Sequence, residues 1–312
     1  MNLYNYDSTV LRSPVKLIGL GAAGSRLAGQ LADYRLGEID VLACTADARS
    51  LHGSKAPHKF LLGQLNETLG RGHEAAVASA PQLRQVLSAS TELLVLVLGL
   101  GGTTGTGAAP VLAHLARELS IPTVAVVTLP YEFEGVDTNT HARYGLLALL
   151  EGCDAVLVHE LDDLARLDDD LLMSEAYQVA DERIIQSVLT LLEPLRSGKQ
   201  EELMGFIARA GQLYFGFGRG RGPQRAKRAV RRAVDSMVWS EAQVLASARP
   251  EVLLRMGFSR HCAPSLKEQK TLVKGLGSLG KGNDSHLFFT LDDTWREELD
   301  CSVLVKWGEV TV

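Results

Sequence analysis

Two glycine-rich stretches hold the residues most suited to chemistry. Residues 99–110, Gly-Leu-Gly-Gly-Thr-Thr-Gly-Thr-Gly-Ala-Ala-Pro, lie between the apolar run Leu93–Leu98 and a helical pattern, Val111, Leu112, Leu115 and Leu119. A strand, a glycine loop and a helix N-terminus in that order make an anion cradle. Glycine lets the backbone approach a phosphate, and the first N–H groups of a helix have no intrahelical acceptor. Thr103, Thr104 and Thr106 add hydroxyl donors. No Gly-Lys-Ser/Thr follows, so no lysine would reach a terminal phosphate as it does in the common P-loop. The second stretch, Gly19-Leu-Gly21-Ala-Ala-Gly24, is a G-x-G-x-x-G between another strand and helix. Alone it fits the pyrophosphate of a dinucleotide, with Asp40 or Asp47 on the ribose, or a plain strand-to-helix turn. Two such loops on neighbouring strands suit one extended polyphosphate better.

The elements around these loops alternate. Val15–Leu20 reads as a buried strand, followed by a helix with Leu27, Ala28, Leu31 and Ala32 on one face. Ile39–Ala43 is the next strand, residues 48–81 read as connections around short elements, and Gln82–Leu87 reads as helix. Strands follow at Leu93–Leu98, Thr123–Thr128 and Ala155–His159, with a helix over Asn139–Leu150. This alternation predicts a Rossmann-type parallel sheet with ligands at the carboxyl ends of its strands. Met173–Leu195 carries a helical stripe through Tyr177, Ile184, Val188, Leu191 and Leu195. Beyond Ser197 the pattern predicts a strand at Gln212–Gly218 and a helix at Gln224–Ala246. Further strands are expected at Val252–Gly257, Thr271–Leu276, His286–Leu291 and Cys301–Trp307. The expected fold class is α/β: a nucleotide-binding domain over residues 1–172, a central helix over 173–197, and a smaller α+β C-terminal domain over 198–312.

Bulk properties bound the function. A chain of 312 residues, 46% hydrophobic and 22% charged, suits a soluble protein with an ample core. A net charge of −5 and few aromatics argue against nucleic acid as the main partner. The sequence has no apolar run of membrane-spanning length and no signal-peptide layout at Met1–Ser13. Cys44, Cys153, Cys262 and Cys301 are widely spaced, without a zinc or redox motif, as expected of reduced structural cysteines in a cytoplasm.

Several separated motifs, in order, resemble the FtsZ family of the tubulin superfamily. GLGGTTGTGAAPVLA is similar to the family's GMGGGTGTGAAPV, VKLIGLGAAGSRLAGQL to its first nucleotide loop, and TADARSL to NTDAQAL. VVTLPYEFEG resembles VVTRPFxFEG, and AYQVADERIIQSV resembles AFxVADDVLxQGV at the start of the central helix. GQLYFGFGRGRGPQRAKRAVRRAVDS is similar to a second-domain stretch, GxAxxGxGxAxGxxRAxxAxxxAxxS. The resemblance covers nearly the whole chain and implies a prokaryotic GTP- or GDP-binding cytoskeletal protein, with Mg²⁺ accompanying the nucleotide. It implies Gly21, Ala22 and Ala23 at the α/β-phosphates, and Gly101, Gly102, Thr103, Thr104, Gly105, Thr106 and Gly107 on their other side. Tyr177 would stack on the base, and Glu182 would read guanine's N–H groups. Arg71, between Gly70 and Gly72, falls in the family's terminal-phosphate-sensing loop, here without its Asn-Pro.

The departures from the family pattern bear on activity. Arg26 stands for a base-contacting asparagine, Thr138 for an arginine, Arg143 for a glutamate near the ribose, and Leu161 for another asparagine. Arg26 and Arg143 are compatible with nucleotide binding but loosen guanine specificity. The family's catalytic loop, approximately GLINLDFADV, corresponds to KQEELMGFIA, so Met204 and Ile207 fall where two aspartates would polarise water. Loss of such groups costs about 10²–10⁴-fold in rate. The expected protein binds GTP with weak or absent hydrolysis and forms head-to-tail homopolymers or acts as a nucleotide-gated partner. The alternatives are a self-assembling GTPase with Glu201 or Glu202 as the catalytic acid, and a dinucleotide-dependent oxidoreductase. Seven basic residues from Arg219 to Arg232, without an acid, are expected on the outer face of a helix, as a solvated surface or a site for an acidic partner or anionic membrane. The sequence ends at Val312 without the family's linker and terminal peptide. Membrane association is therefore expected to require a partner or another surface.

Overall fold

A computed structural model describes residues 11–34, 36–63, 72–87, 90–163, 172–208, 210–237, 250–276, 284–291 and 298–306. The chain forms two compact units, Met1–Tyr177 and Gln178–Val312.

In the first unit, β1 (Val15–Leu20), β2 (Ile39–Thr45), β3 (His58–Leu61), β4 (Leu93–Gly99), β5 (Thr123–Leu129) and β6 (Ala155–Glu160) form a parallel sheet in the order β3-β2-β1-β4-β5-β6. The order reverses between β1 and β4, so a crevice opens at their carboxyl ends. Every residue of β1 and residues 93–98 of β4 are buried, as parallel strands covered on both faces require. The helices are α1 (Gly21–Leu31), α2 (Ala48–Gly53), α3 (Gly72–Ala78), α4 (Ala80–Val86), α5 (Thr103–Glu118) and α6 (Val136–Gly152). Stretch 48–81, expected as connections around short elements, contains α2, β3 and α3. Lys16 is 1% exposed in β1, where its ammonium is neutralised by Asp40 and donates to the Ser13 carbonyl.

In the second unit, β7 (Gly211–Arg221), β10 (Glu298–Lys306), β8 (Glu251–Phe258) and β9 (Asp284–Leu291) lie side by side in that order. The first two pairings are antiparallel and the last is parallel. α7 (Met173–Arg196) is the long central helix, in this unit from Gln178 onward, and among the described residues α8 (Gln200–Ile207), α9 (Arg225–Asp235) and α10 (Leu266–Gly275) accompany it. Val252, Leu254 and Met256 join Ala226, Ala229, Val230 and Ala233 in one core. On the other face of β8, Arg255 binds Gln186 of α7 at 2.8 Å and lies 3.6 Å from Glu193 and 3.9 Å from Asp300.

Two sequence expectations are corrected here. Residues 271–275 are helical, within α10, and Leu276 caps it, because Ser265 and Glu268 close a capping box that starts the helix. Of the seven basic residues expected on the outer face of a helix, Arg219 and Arg221 lie in β7, and Arg225 does not join that face. Its guanidinium turns inward to Glu268 at 2.7 Å and to the Cys262 sulfur at 2.7 Å. Lys227, Arg228, Arg231 and Arg232 remain exposed on α9. The expected continuation of this helix to Ala246 falls largely on residues 238–249, outside the described residues.

Candidate functional site

The site begins where two strands turn into helices without side-chain caps. β1 ends at Leu20, and Gly21 enters α1 at φ +72°, a left-handed conformation that any other residue adopts at a cost. β4 ends at Gly99, and Leu100-Gly-Gly leads into α5. Neither Leu20 nor Gly102 caps its helix through a side chain, and neither first turn contains an acid. The early N–H groups of α1 and α5 therefore face the crevice with the positive ends of two helix dipoles. The two turns are in contact. A Cβ on Gly21 would lie 3.0 Å from the Gly105 nitrogen, and one on Gly72 of α3 would collide with the Thr103 carbonyl. Backbone meets backbone at both places, which fixes the spacing of the donors.

A cavity of about 430 Å³ occupies the crevice. Gly21, Ala22 and Ala23 line it from the start of α1, Gly102, Thr103, Thr104 and Gly105 from the β4–α5 turn, and Tyr177 is also in the lining. The cavity thus brings together much of the residue set expected from the sequence. Gly101 and Thr106 stand behind the wall: the Gly101 N–H donates to Thr106 Oγ1 at 2.8 Å, and Thr106 is buried. Gly107 packs against the start of α3. Arg26 and Arg143 lie on exposed sides of α1 and α6 and do not line the cavity. Arg71 lies outside the described residues.

Sequence reading missed Thr45, Asp47 (raised only as a dinucleotide-ribose acid), Ser50, Thr128, Pro130 and Glu134 as cavity residues. Asp47 caps α2, accepting N–H bonds from Arg49 at 3.1 Å and Ser50 at 3.0 Å. The Ser50 hydroxyl, then these N–H groups, hold its carboxyl below the usual range, so it stays ionised at the cavity wall. The Asp47-x-x-Ser50 spacing at a helix start was the available signal. Glu134 accepts the Tyr131 N–H at 3.0 Å, which closes the turn before α6. Tyr131 is buried with its ring stacked on Phe133 at 4.9 Å and edge-on to Tyr177 at 5.7 Å; burial raises its phenol pKa. Tyr177 is thereby buttressed on one side while 37% of its surface stays exposed. Asp40, the other acid open to a dinucleotide reading, is engaged by Lys16 and Ser13 at the far end of β2.

In the second unit, Glu182 pairs with Arg219 at 3.0 Å. Glu201 is exposed at the start of α8. Glu202 is held by Lys199 at 2.9 Å and His286 at 3.2 Å, and the Lys199 hydrogen bond lowers its pKa. Met204 is half-buried and Ile207 is buried on the same helix. Among the described residues no group of three His, Cys, Asp or Glu side chains could hold a metal, and no helix is long and apolar enough to cross a membrane.

Residues 14–169 match the family described as Tubulin/FtsZ family, GTPase domain. The chain is 35% identical over 190 residues to cell division protein FtsZ 1 of Pyrococcus furiosus, covering 59% of this chain and 51% of that protein. It is 31% identical over 235 residues to cell division protein FtsZ of Aquifex aeolicus, covering 71% and 64%. The chain thus spans about half the length of the first of these relatives. An empty FtsZ dimer from M. jannaschii superimposes with a TM-score of 0.82 at 24% identity, covering 94% of this chain and 88% of that one. A GTPgS-bound protofilament of CetZ2 from Haloferax volcanii gives 0.75 at 22% identity, covering 95% and 94%. At these identities the two structures support the fold.

Proposed function

The chain belongs to the tubulin/FtsZ family, and from that premise we propose that it is a cytoskeletal protein that binds GTP and GDP and hydrolyses GTP weakly or not at all. One observation carries the reading: two uncapped, acid-free helix N-termini converge on one cavity at the reversal point of the sheet. That arrangement favours a polyanion, whose oxygens accept from N–H groups already oriented toward them. The phosphates lie between Gly21–Ala23 and Gly102–Gly105, with the Thr103 and Thr104 hydroxyls beside them. Asp47 and Glu134 accept from ribose hydroxyls, and the exposed face of Tyr177 receives the base. Glu182 reads guanine by releasing Arg219 and accepting the adjacent N–H donors of the base. Mg²⁺ arrives with the nucleotide and is held by phosphate oxygens and water.

Met204 and Ile207 carry the hydrolysis part of the reading, since neither side chain can orient or deprotonate water. Of the alternative acids, Glu202 is tied to Lys199 and His286, so a rearranged catalytic site rests on Glu201. Head-to-tail homopolymers are the assembly we propose, in keeping with the protofilament of the CetZ2 neighbour. The exposed α9 residues Lys227, Arg228, Arg231 and Arg232 form the surface for an acidic partner or anionic membrane. We place the protein in the cytoplasm, reaching the membrane through a partner.

Nucleotide extracted from the purified protein tests the binding step. GDP or GTP is expected, and recovery of NAD(P) refutes it. Phosphate release with GTP and Mg²⁺ is expected to be slow at every protein concentration. A steep rise with concentration would show catalysis across a subunit contact and overturn the hydrolysis reading. Pelleting with GTP reports the filaments.

A further inference from the structure

One contact behind the cradle wall is unlike anything the sequence motifs suggest. His141, one turn into α6 and exposed, places its Nδ1 3.2 Å from the Gly101 carbonyl oxygen. A carbonyl only accepts, so Nδ1 carries the proton in this contact. The preceding peptide is held as well, because the Gly101 N–H donates to Thr106 Oγ1 at 2.8 Å. Gly101 has φ +101°, and a Cβ there would lie 2.8 Å from the Thr138 methyl of α6, so the turn is pressed against that helix.

Peptide planarity converts this contact into an orientation. The C=O of Gly101 and the N–H of Gly102 belong to one trans peptide and point in opposite directions. With the carbonyl turned to α6, the Gly102 N–H points away from α6. Gly102 lines the cavity, whereas no residue of α6 does. We propose that His141 is a positioning residue for the phosphate-binding turn: by donating to the Gly101 carbonyl it keeps the Gly102 N–H aimed into the cavity, ready for a nucleotide phosphate oxygen. The inference rests on the nucleotide reading for its ligand but not for its geometry. A glycine pair has little barrier to rotating the shared peptide, so the lock must come from outside the turn. A rotated peptide would present its carbonyl oxygen to the phosphate and repel it.

The test compares the unmodified protein with His141→Phe, which keeps a ring but no donor, and His141→Asn, whose amide nitrogen can donate from a similar place. His141→Phe is expected to bind GTP and GDP about tenfold more weakly, the scale of one misdirected hydrogen bond. His141→Asn is expected to restore most of that loss. Hydrogen exchange of residues 99–107 without nucleotide is expected to quicken in His141→Phe and return toward normal in His141→Asn. Equal affinity and exchange in all three proteins overturns the proposal, as does a His141→Asn protein no better than His141→Phe. If the unmodified protein binds no guanine nucleotide, the nucleotide reading fails, while the exchange comparison still decides for or against the His141 lock.

Discussion

Gly21→Ala probes the contact on which the cradle depends, and Gly37→Ala supplies its control. Both glycines have positive φ, +72° and +86°. An alanine in that conformation costs about 1–2 kcal/mol, and the stiffer unfolded chain returns about 0.4–1 kcal/mol. The backbone effect alone should therefore destabilise either variant by about 1 kcal/mol. At Gly37 a Cβ meets nothing within 4 Å, whereas at Gly21 it lies 3.0 Å from the Gly105 nitrogen and 3.3 Å from its Cα. The first turn of α5 must then move by a few tenths of an ångström, adding about 1–2 kcal/mol as overpacking does. That shift also separates donors meant for one ligand. Losing a hydrogen bond to a charged group costs about 1.5–3 kcal/mol, or about 10–100-fold in affinity. Urea unfolding gives the stabilities, and calorimetric titration with GTP and GDP gives the affinities. Gly37→Ala should bind as the unmodified protein does, and Gly21→Ala should not. If both variants lose similar stability and Gly21→Ala keeps full affinity, the touching turns do not set the donor spacing and the reasoning fails.

Three further outcomes follow from other residues. Tyr177→Ala should weaken guanine-nucleotide binding by about 1–3 kcal/mol, the scale of base–aromatic stacking, while leaving inorganic pyrophosphate binding unchanged in a competition assay. Hydrogen bonds from Arg225, then from the Ser265 N–H, hold Glu268 at about 2, against about 4.3 in an unfolded chain. The resulting stability is complete above the unfolded value and disappears as pH falls toward 2. After allowing for solvent screening it amounts to about 1–2 kcal/mol, and acid unfolding of Glu268→Gln should lack that slope. Arg255→Met should cost about 1–3 kcal/mol in urea unfolding, because it removes the cation beside buried Glu193 and Asp300 while Arg196, 3.1 Å from Glu193, remains.

The glycine loops were legible because close backbone approach can be encoded only by missing side chains, and their spacing survives in one sequence. Strands β1, β4, β5 and β6 were legible because parallel strands buried on both faces read as unbroken apolar runs. Residues 271–276 misled for a physical reason: Thr271, Leu272, Val273 and Leu276 form a short apolar stretch that fits either period. The deciding signal was local, the Ser265-x-x-Glu268 capping box. Arg225 could not be separated from its basic neighbours by pattern, since its inward turn depends on Glu268, far along the chain. Asp47 and Glu134 reach the cavity from loops after β2 and β5, and only the sheet order brings those loops to the carboxyl ends of β1 and β4.

The glycines of β7 have one more implication. Side chains at Gly216, Gly218 and Gly220 would strike the carbonyl oxygens of Ala233, Ala229 and Arg225, so α9 rests on the strand backbone itself. Between most helices and sheets a layer of side chains can change rotamers and absorb a push. Here the helix backbone meets the strand backbone at all three glycines, so little side-chain slack separates α9 from β7. A displacement of α9 is therefore passed to β7 through direct backbone contact, and β7 carries Arg219, the residue that holds Glu182.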